Sequence, residues 1–253
     1  MATSAKVFER DLRPAARPIW LESLVGIDLM LLHVAPVYYG LGVQRGDGSA
    51  VILVPGFLTT DIYLRELSCW LRRIGYRPYL SNIGWNADCI NLLVSRLAKT
   101  VERAHKKTNG KVHLIGHSLG GILSRSTAAL NPDKVASIIT LGSPFRGIRS
   151  HPMVLQMAEK IRQRIFAERD TSSHPNCYTV YCDCTAVNAM QNEIPSSILQ
   201  SAIYTKTDGI VDWRSCINDD PETDYEVAGT HFGLAFNHQV YSLIAKRLVE
   251  ATR

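Results

Sequence analysis

The sequence predicts an α/β fold in one domain, with a mainly parallel central sheet flanked by helices. Short apolar runs alternate with longer stretches of helical spacing from residue 50 onward, which implies βαβ units and right-handed crossovers. One of those strand-to-helix junctions carries Gly116-His117-Ser118-Leu119-Gly120, a serine between close-spaced glycines. A chain of 253 residues, 46% hydrophobic and 20% charged, can bury a full core of this kind.

The elements follow in order. Residues 19 to 35, IWLESLVGIDLMLLHVA, form the most apolar stretch, interrupted by Glu22, Asp28 and His33. A spanning helix needs about 20 mostly apolar residues, so this reads as a helix packed on the domain, with interfacial membrane contact as the alternative. It belongs to an N-terminal helical extension over 1–48, ended by the turn signal Gly46-Asp47-Gly48. Ala50 to Val54 is a continuous apolar run, suited to a strand buried on both faces. Residues 61–74 place Ile62, Leu67, Trp70, Leu71 and Ile74 at helical spacing and stop at Gly75. A strand over 76–80 and a helix from about 88 to 107 come next, then a strand over 111–115, a helix over 119–130 stopped by Asn131-Pro132, and a strand over 137–141. Residues 200–205 and 225–228 are strand-like, and 237–249 form a closing helix.

The net charge of +5 is spread along helix-like stretches such as Arg96, Lys99, Arg103, Lys106 and Lys107, which reads as a solvated face. With no zinc-finger spacing or aromatic-basic motif, nucleic acid is not expected as a partner. The run Asp219, Asp220, Glu222, Asp224, Glu226 lacks the regular spacing of a calcium loop; a solvated loop is expected, and no metal. Six cysteines are too scattered for a disulfide scaffold. Buried thiols are one reading, and a bond from Cys216 to Cys177, Cys182 or Cys184 is the other. The N-terminus lacks the basic start, apolar run and cleavage site of a signal peptide, so the sequence as given reads as cytoplasmic or as a mature chain.

The serine explains the glycines around it. In a sharp strand-to-helix turn, small residues two before and two after Ser118 let neighbouring backbone approach, and the hydroxyl is pushed out at the head of a helix. Such a serine needs a base and an orienting acid, in the order Ser, Asp or Glu, His. Asp208 follows the strand before TKTDGIVDW, and His231 follows the strand in YEVAGTHFGL, both at the edge where open parallel sheets bind ligands. Asp212 and His238 are the rivals. Asp212 comes only after Ile210-Val211, and His238 begins a helix, so Asp208 and His231 are preferred. His117 is expected to be a structural neighbour of the turn, and His33, His105, His113, His151 and His174 surface or packing residues.

The ordered motifs PGF (55–57), GHSLGG (116–121), TLGSP (140–144), TDGIV (207–211) and GTHFGL (229–234) resemble the α/β-hydrolase lipases and esterases. The last third is similar to small secreted Bacillus-type lipases. The resemblance covers about residues 50 to 250 and implies the α/β-hydrolase fold, with Ser118 as nucleophile, Asp208 as acid, His231 as general base and the backbone N–H groups of Phe57 and Leu119 as the oxyanion hole. It implies hydrolysis of carboxylic esters, with a small-molecule ester or lipid as substrate and no cofactor. Acyl transfer by the same triad, or a noncatalytic binding protein on this fold, are the alternatives. The chain departs from the small lipases in having Pro55 before the glycine and an extra segment after Gly147. Within that segment, about 148–176, Val154, Met157, Ala158, Ile161 and Ile165 share one helical face. That stripe is either a packed core face or a small cap over the substrate.

Overall fold

The computed structural model describes residues 18–147, 149–168 and 184–252. Its centre is one six-stranded, all-parallel sheet in the order β2-β1-β3-β4-β5-β6, built from β1 (Ala50–Val54), β2 (Arg77–Leu80), β3 (Val112–His117), β4 (Val135–Leu141), β5 (Leu199–Tyr204) and β6 (Asp224–Glu226). The β1 and β3 runs are buried at every position, as expected for strands covered on both faces. Strand alternation then divides the core in two. Ala50, Ile52, Val54, Val112 and Leu114 pack on α3 (Ile90–Thr108), α4 (Leu119–Leu130) and α6 (Thr185–Gln191). Val51, Leu53, Ile115 and Ile139 point the other way, onto α2 (Arg65–Arg73) and α7 (His238–Glu250). The second face includes Trp70, whose indole is fully buried and donates to the Val37 carbonyl at 2.7 Å.

The expected elements are present, with ends moved by one or two residues; the helix expected over 61–74 begins as a 3-10 turn at Asp61–Leu64 before α2. The N-terminal extension differs in which way it faces. It packs on the domain as a 3-10 turn (Ile19–Leu24) followed by α1 (Val25–Val34). The acids that interrupt its apolar run, Glu22 and Asp28, are its buried face, together with Leu32, while Trp20, Ile27, Met30 and Val34 are exposed. The expected packing on the domain is present, but the surface that receives the two acids is a set of backbone N–H groups and a hydroxyl, with Leu32 of α1 joining an apolar core. Residues 1–17 of the extension lie outside the described residues. Among the described residues, no helix is long and apolar enough to cross a membrane.

The extra segment forms α5 (Pro152–Glu168), and among the described residues none of its side chains joins either large core cluster. Val154 packs instead with a small cluster of Ile210, Val211 and Cys216. Residues 148 and 169–176 of the expected cap fall outside the described residues, as do Cys177, Cys182 and His174. Cys184 and Cys216 are free thiols, so the Cys216–Cys184 bond is not made, and Cys216 is the buried thiol of the other reading. In the acidic run, Asp224 accepts the N–H groups of Asn218, Asp219 and Asp220, and Glu226 pairs with Lys206 at 2.6 Å. These carboxylates shape the loop.

Candidate active site

The sheet reverses its winding between β1 and β3, since β2 lies outside β1 while β4, β5 and β6 extend from β3. Loops leaving those two strands therefore part and open a crevice at their C-terminal ends. Ser118 sits there, directly after β3 and at the head of α4, with φ 52° and ψ −123°. That is a strained conformation for a residue with a Cβ. It is held by the Ser118 N–H donating to the Leu141 carbonyl at 2.8 Å and by the Gly121 N–H donating to the Ser118 carbonyl at 3.0 Å. The flanking glycines are required by packing. A Cβ on Gly116 would collide with the Gly120–Gly121 backbone, and one on Gly120 with the carbonyls of Val54 and Pro55.

Phe57 arrives from β1. Gly56 lets this loop lie against the serine turn, since a Cβ there would come 2.8 Å from His117 Nδ1 and 3.2 Å from Ser118 Cβ. Asn86 holds the loop in place: its side-chain amide donates to the Pro55 carbonyl at 2.7 Å, its N–H donates to Thr59, and its carbonyl accepts from Leu58. The Leu119 N–H heads α4 and is one of the first-turn donors that no intrahelical carbonyl satisfies. Phe57, Ser118, Leu119 and His231 all line one cavity of about 650 Å³. Its remaining wall is largely apolar, with Ile122 from α4, Val154 and Met157 from α5, and Phe232 beside the histidine.

Asp208 and His231 meet behind this cavity. His231 Nδ1 donates to Asp208 Oδ2 at 2.6 Å, and both side chains are almost wholly buried. Asp208 Oδ1 is occupied by the N–H groups of Ile210 and Val211, each at 2.8 Å, so the carboxylate cannot rotate without breaking three bonds. Burial alone would lower the His231 pKa; the Asp208 charge and hydrogen bond, with a contribution from Glu22, outweigh it and hold the imidazole above its ordinary value. With Nδ1 committed to Asp208, Nε2 is the nitrogen left to exchange a proton. The rivals lie elsewhere. Asp212 caps a 3-10 turn by accepting the Arg214 N–H at 3.0 Å, and His238 is the first residue of α7.

His117 is a neighbour of the turn. Its Nε2 donates to the His231 carbonyl at 2.9 Å, the two rings lie 4.9 Å apart, and burial pushes its pKa down to about 3. It is a neutral spacer that supports His231. Tyr63 adds a further brace, packing on His117 and donating to the Phe232 carbonyl at 2.6 Å.

Sequence reasoning passed over Glu22, Asp28 and Asn86. Glu22 Oε1 accepts the N–H groups of Gly209 at 2.9 Å and His231 at 3.1 Å, and Oε2 accepts that of Phe232 at 3.1 Å. Asp28 accepts the Thr230 hydroxyl at 3.1 Å. Two acids inside the most apolar segment were the available signal for the first pair. Asn86 carried none.

Comparison with known proteins agrees with this architecture. A family model described as alpha/beta hydrolase fold matches residues 95–173, the stretch that contains the serine turn. Solved structures cover most of the chain. A mature lipase, BlEst2, from Bacillus licheniformis superposes with a TM-score of 0.56 at 13% identity, over 81% of this chain and 94% of that one. A monoacylglycerol lipase from Paleococcus ferrophilus gives 0.52 at 17% identity, over 83% and 97%. The chain has the α/β-hydrolase fold. In sequence, this α/β-hydrolase-fold chain is 38% identical over 148 residues to a triacylglycerol lipase of Burkholderia plantarii, covering 53% of the chain and 41% of the lipase. It is 38% identical over 106 residues to a triacylglycerol lipase of Pseudarthrobacter phenanthrenivorans, covering 38% and 33%. Each alignment spans less than half the length of the lipase it matches.

Proposed function

We propose that the protein is a serine hydrolase of carboxylic esters, with Ser118 as nucleophile, His231 as general base, Asp208 as the orienting acid, and the Phe57 and Leu119 N–H groups as the oxyanion hole. The observation that carries this reading is the buried 2.6 Å Asp208–His231 bond behind the cavity that Ser118 lines. His231 Nε2 takes the Ser118 hydroxyl proton as Oγ bonds to the ester carbonyl carbon, and the carbonyl π pair moves onto the oxygen held by the two N–H groups. The imidazolium gives its proton to the leaving alkoxide as the ester C–O bond breaks. Water, deprotonated by the same histidine, then releases the acid and restores the serine.

The substrate class in this proposal is an ester with an apolar acyl chain, supported by the largely apolar wall and by a cavity in the range of small-molecule sites. Helix α5 is assigned as a small cap within a single domain, since Val154 and Met157 line the cavity and none of its described side chains belongs to the two main cores. Contact with a lipid surface belongs to the same reading. Its support is the outward apolar row of Trp20, Ile27, Met30 and Val34, continuous with the turn whose Ile19 and Ser23 line the cavity. Co-sedimentation with phosphatidylcholine vesicles tests it, and a Trp20→Ser, Met30→Ser protein should stay in the supernatant.

A nitrophenyl ester series of increasing acyl length, run beside Ser118→Ala, tests the main proposal. The parent should turn over the series and react covalently with a fluorophosphonate, and the mutant should lose essentially all of both, since losing one triad member costs several powers of ten. Equal turnover by the two proteins refutes the assignment of the nucleophile.

A further inference from the structure

Glu22 lies on a 3-10 turn 209 residues before the histidine, yet it is only 6% exposed and its carboxylate accepts three backbone N–H bonds. Those donors belong to the two loops that carry the candidate acid and base. Gly209 is the residue after Asp208, and His231 and Phe232 stand where the loop after β6 enters the 3-10 turn Phe232–Phe236. One side chain thus spans the two loops whose relative placement sets the Asp208–His231 bond. The sequence makes room for it: a Cβ on Gly209 would come 3.1 Å from the Pro18 carbonyl and 3.2 Å from Glu22 Oε1. Asp28 fastens the same loop from α1 through the Thr230 hydroxyl, and a Cβ on Gly233 would collide with its carboxylate.

We propose that Glu22 is a positioning residue, a carboxylate bridge from the N-terminal segment that fixes the acid loop against the base loop and faces the buried imidazole with negative charge. This rests on the triad reading above. The carboxylate acts through His231 and does not touch the reacting atoms. It has two separable effects. The three bonds hold geometry, and the charge favours the imidazolium that forms when Ser118 gives up its proton. In agreement, Glu22 contributes to raising His231 against the effect of burial.

The groups that face His231 from the surrounding elements are Asp208 from the acid loop with Cys216 behind it, His117 from β3, Tyr63 from the turn before α2, and Glu22 with Asp28 from the N-terminal segment. His117 is pushed down to about 3, while burial pushes Tyr63 and Cys216 up, so all three keep their neutral forms near pH 7. Burial also raises Asp28. The titration is therefore followed at the His231 ring itself.

Glu22→Gln removes the charge and turns an NH₂ group toward backbone donors. The full chain should keep its fold by near-ultraviolet circular dichroism. Its kcat should fall roughly 10- to 100-fold, as for a misplaced reacting group, with KM little changed. The acid limb of its kcat/KM profile, and the His231 Cε1–H titration followed by NMR, should both move to lower pH by about half a unit or more. Glu22→Asp keeps the charge but loses reach, so its kcat should fall while the titration stays near the parent value. A folded Glu22→Gln protein with parental titration and kcat overturns the proposal, as does a Glu22→Asp protein with parental kcat. The NMR titration reads Glu22 whether or not esters are turned over, and the Ser118→Ala comparison reads the functional proposal alone.

Discussion

In Asp208→Asn, two fixed donors determine how the new side chain must sit. The Ile210 and Val211 N–H groups at 2.8 Å require an oxygen where Asp208 Oδ1 now lies, so the amide oxygen of the asparagine takes that position. Its NH₂ group then replaces Oδ2, 2.6 Å from His231 Nδ1. Two donors cannot face each other, so the imidazole moves its proton to Nε2 and presents a bare Nδ1 to the amide. In that tautomer Nε2 cannot accept the Ser118 proton. The corresponding change in the serine-protease triad costs about ten-thousandfold in kcat, or about 5.4 kcal/mol of barrier. Stability should fall less, by about 1.5–3 kcal/mol for one charged hydrogen bond. Asp212→Asn is the control, because an asparagine can still accept the Arg214 N–H as an N-cap. Steady-state hydrolysis of a nitrophenyl butyrate by both variants, beside their urea midpoints, provides the comparison. If Asp212→Asn is the more damaged in kcat, or Asp208→Asn loses less than about tenfold, the tautomer argument and the choice of acid both fail.

Four further outcomes follow from the same geometry. His231 must be neutral to act as base and its pKa is raised, so the acid limb of kcat/KM should have its midpoint above the 6.5 of an ordinary histidine; a midpoint below that value contradicts the Asp208 coupling. The same shift carries a stability contribution that is fully present below pH 6.5 and is lost as pH rises through the folded-state pKa, readable from urea midpoints of the parent across that window. Gly120→Ala drives a Cβ into the Val54 carbonyl, backbone against backbone, and should cost about 3 kcal/mol, the upper end of overpacking, with a drop in Tm of about 10 °C. Met157→Ser should alter the preference among acyl lengths while leaving acetyl esters and Tm nearly unchanged, since Met157 lines the cavity and is half exposed; a large fall in Tm with an unchanged profile would return α5 to the core.

Much of this was legible in the residues. Continuous apolar runs such as Ala50–Val54 marked doubly covered strands, and the glycine spacing around Ser118 marked a turn where only small residues fit. The pairing of Asp208 with His231 was legible because each follows a strand at the same sheet edge. What stayed hidden shares one cause. Hydropathy treats polar side chains as seekers of water, whereas Glu22 and Asp28 are buried because the opposing surface is made of unsatisfied donors, which no local pattern encodes. Asn86, likewise, is fully buried against the Phe57 loop, and its partners lie about thirty residues away in the chain.

The span of the Glu22 contacts bears on how the protein reaches its working state. Its bonds to Gly209, His231 and Phe232 close loops of 187, 209 and 210 residues. Loops of that length are the most entropically expensive to close in a chain of this size, and their closure is rewarded only once the strands between are in register. Secondary structure and the core that packs on α3, α4 and α6 can therefore form while the two ends of the chain are still apart, whereas the core on α2 and α7 includes Leu32 and Val37 and is completed only when they meet. Completion of the site coincides with docking of the N-terminal turn, so during refolding the His231 environment reports the last long-range contact rather than the first collapse.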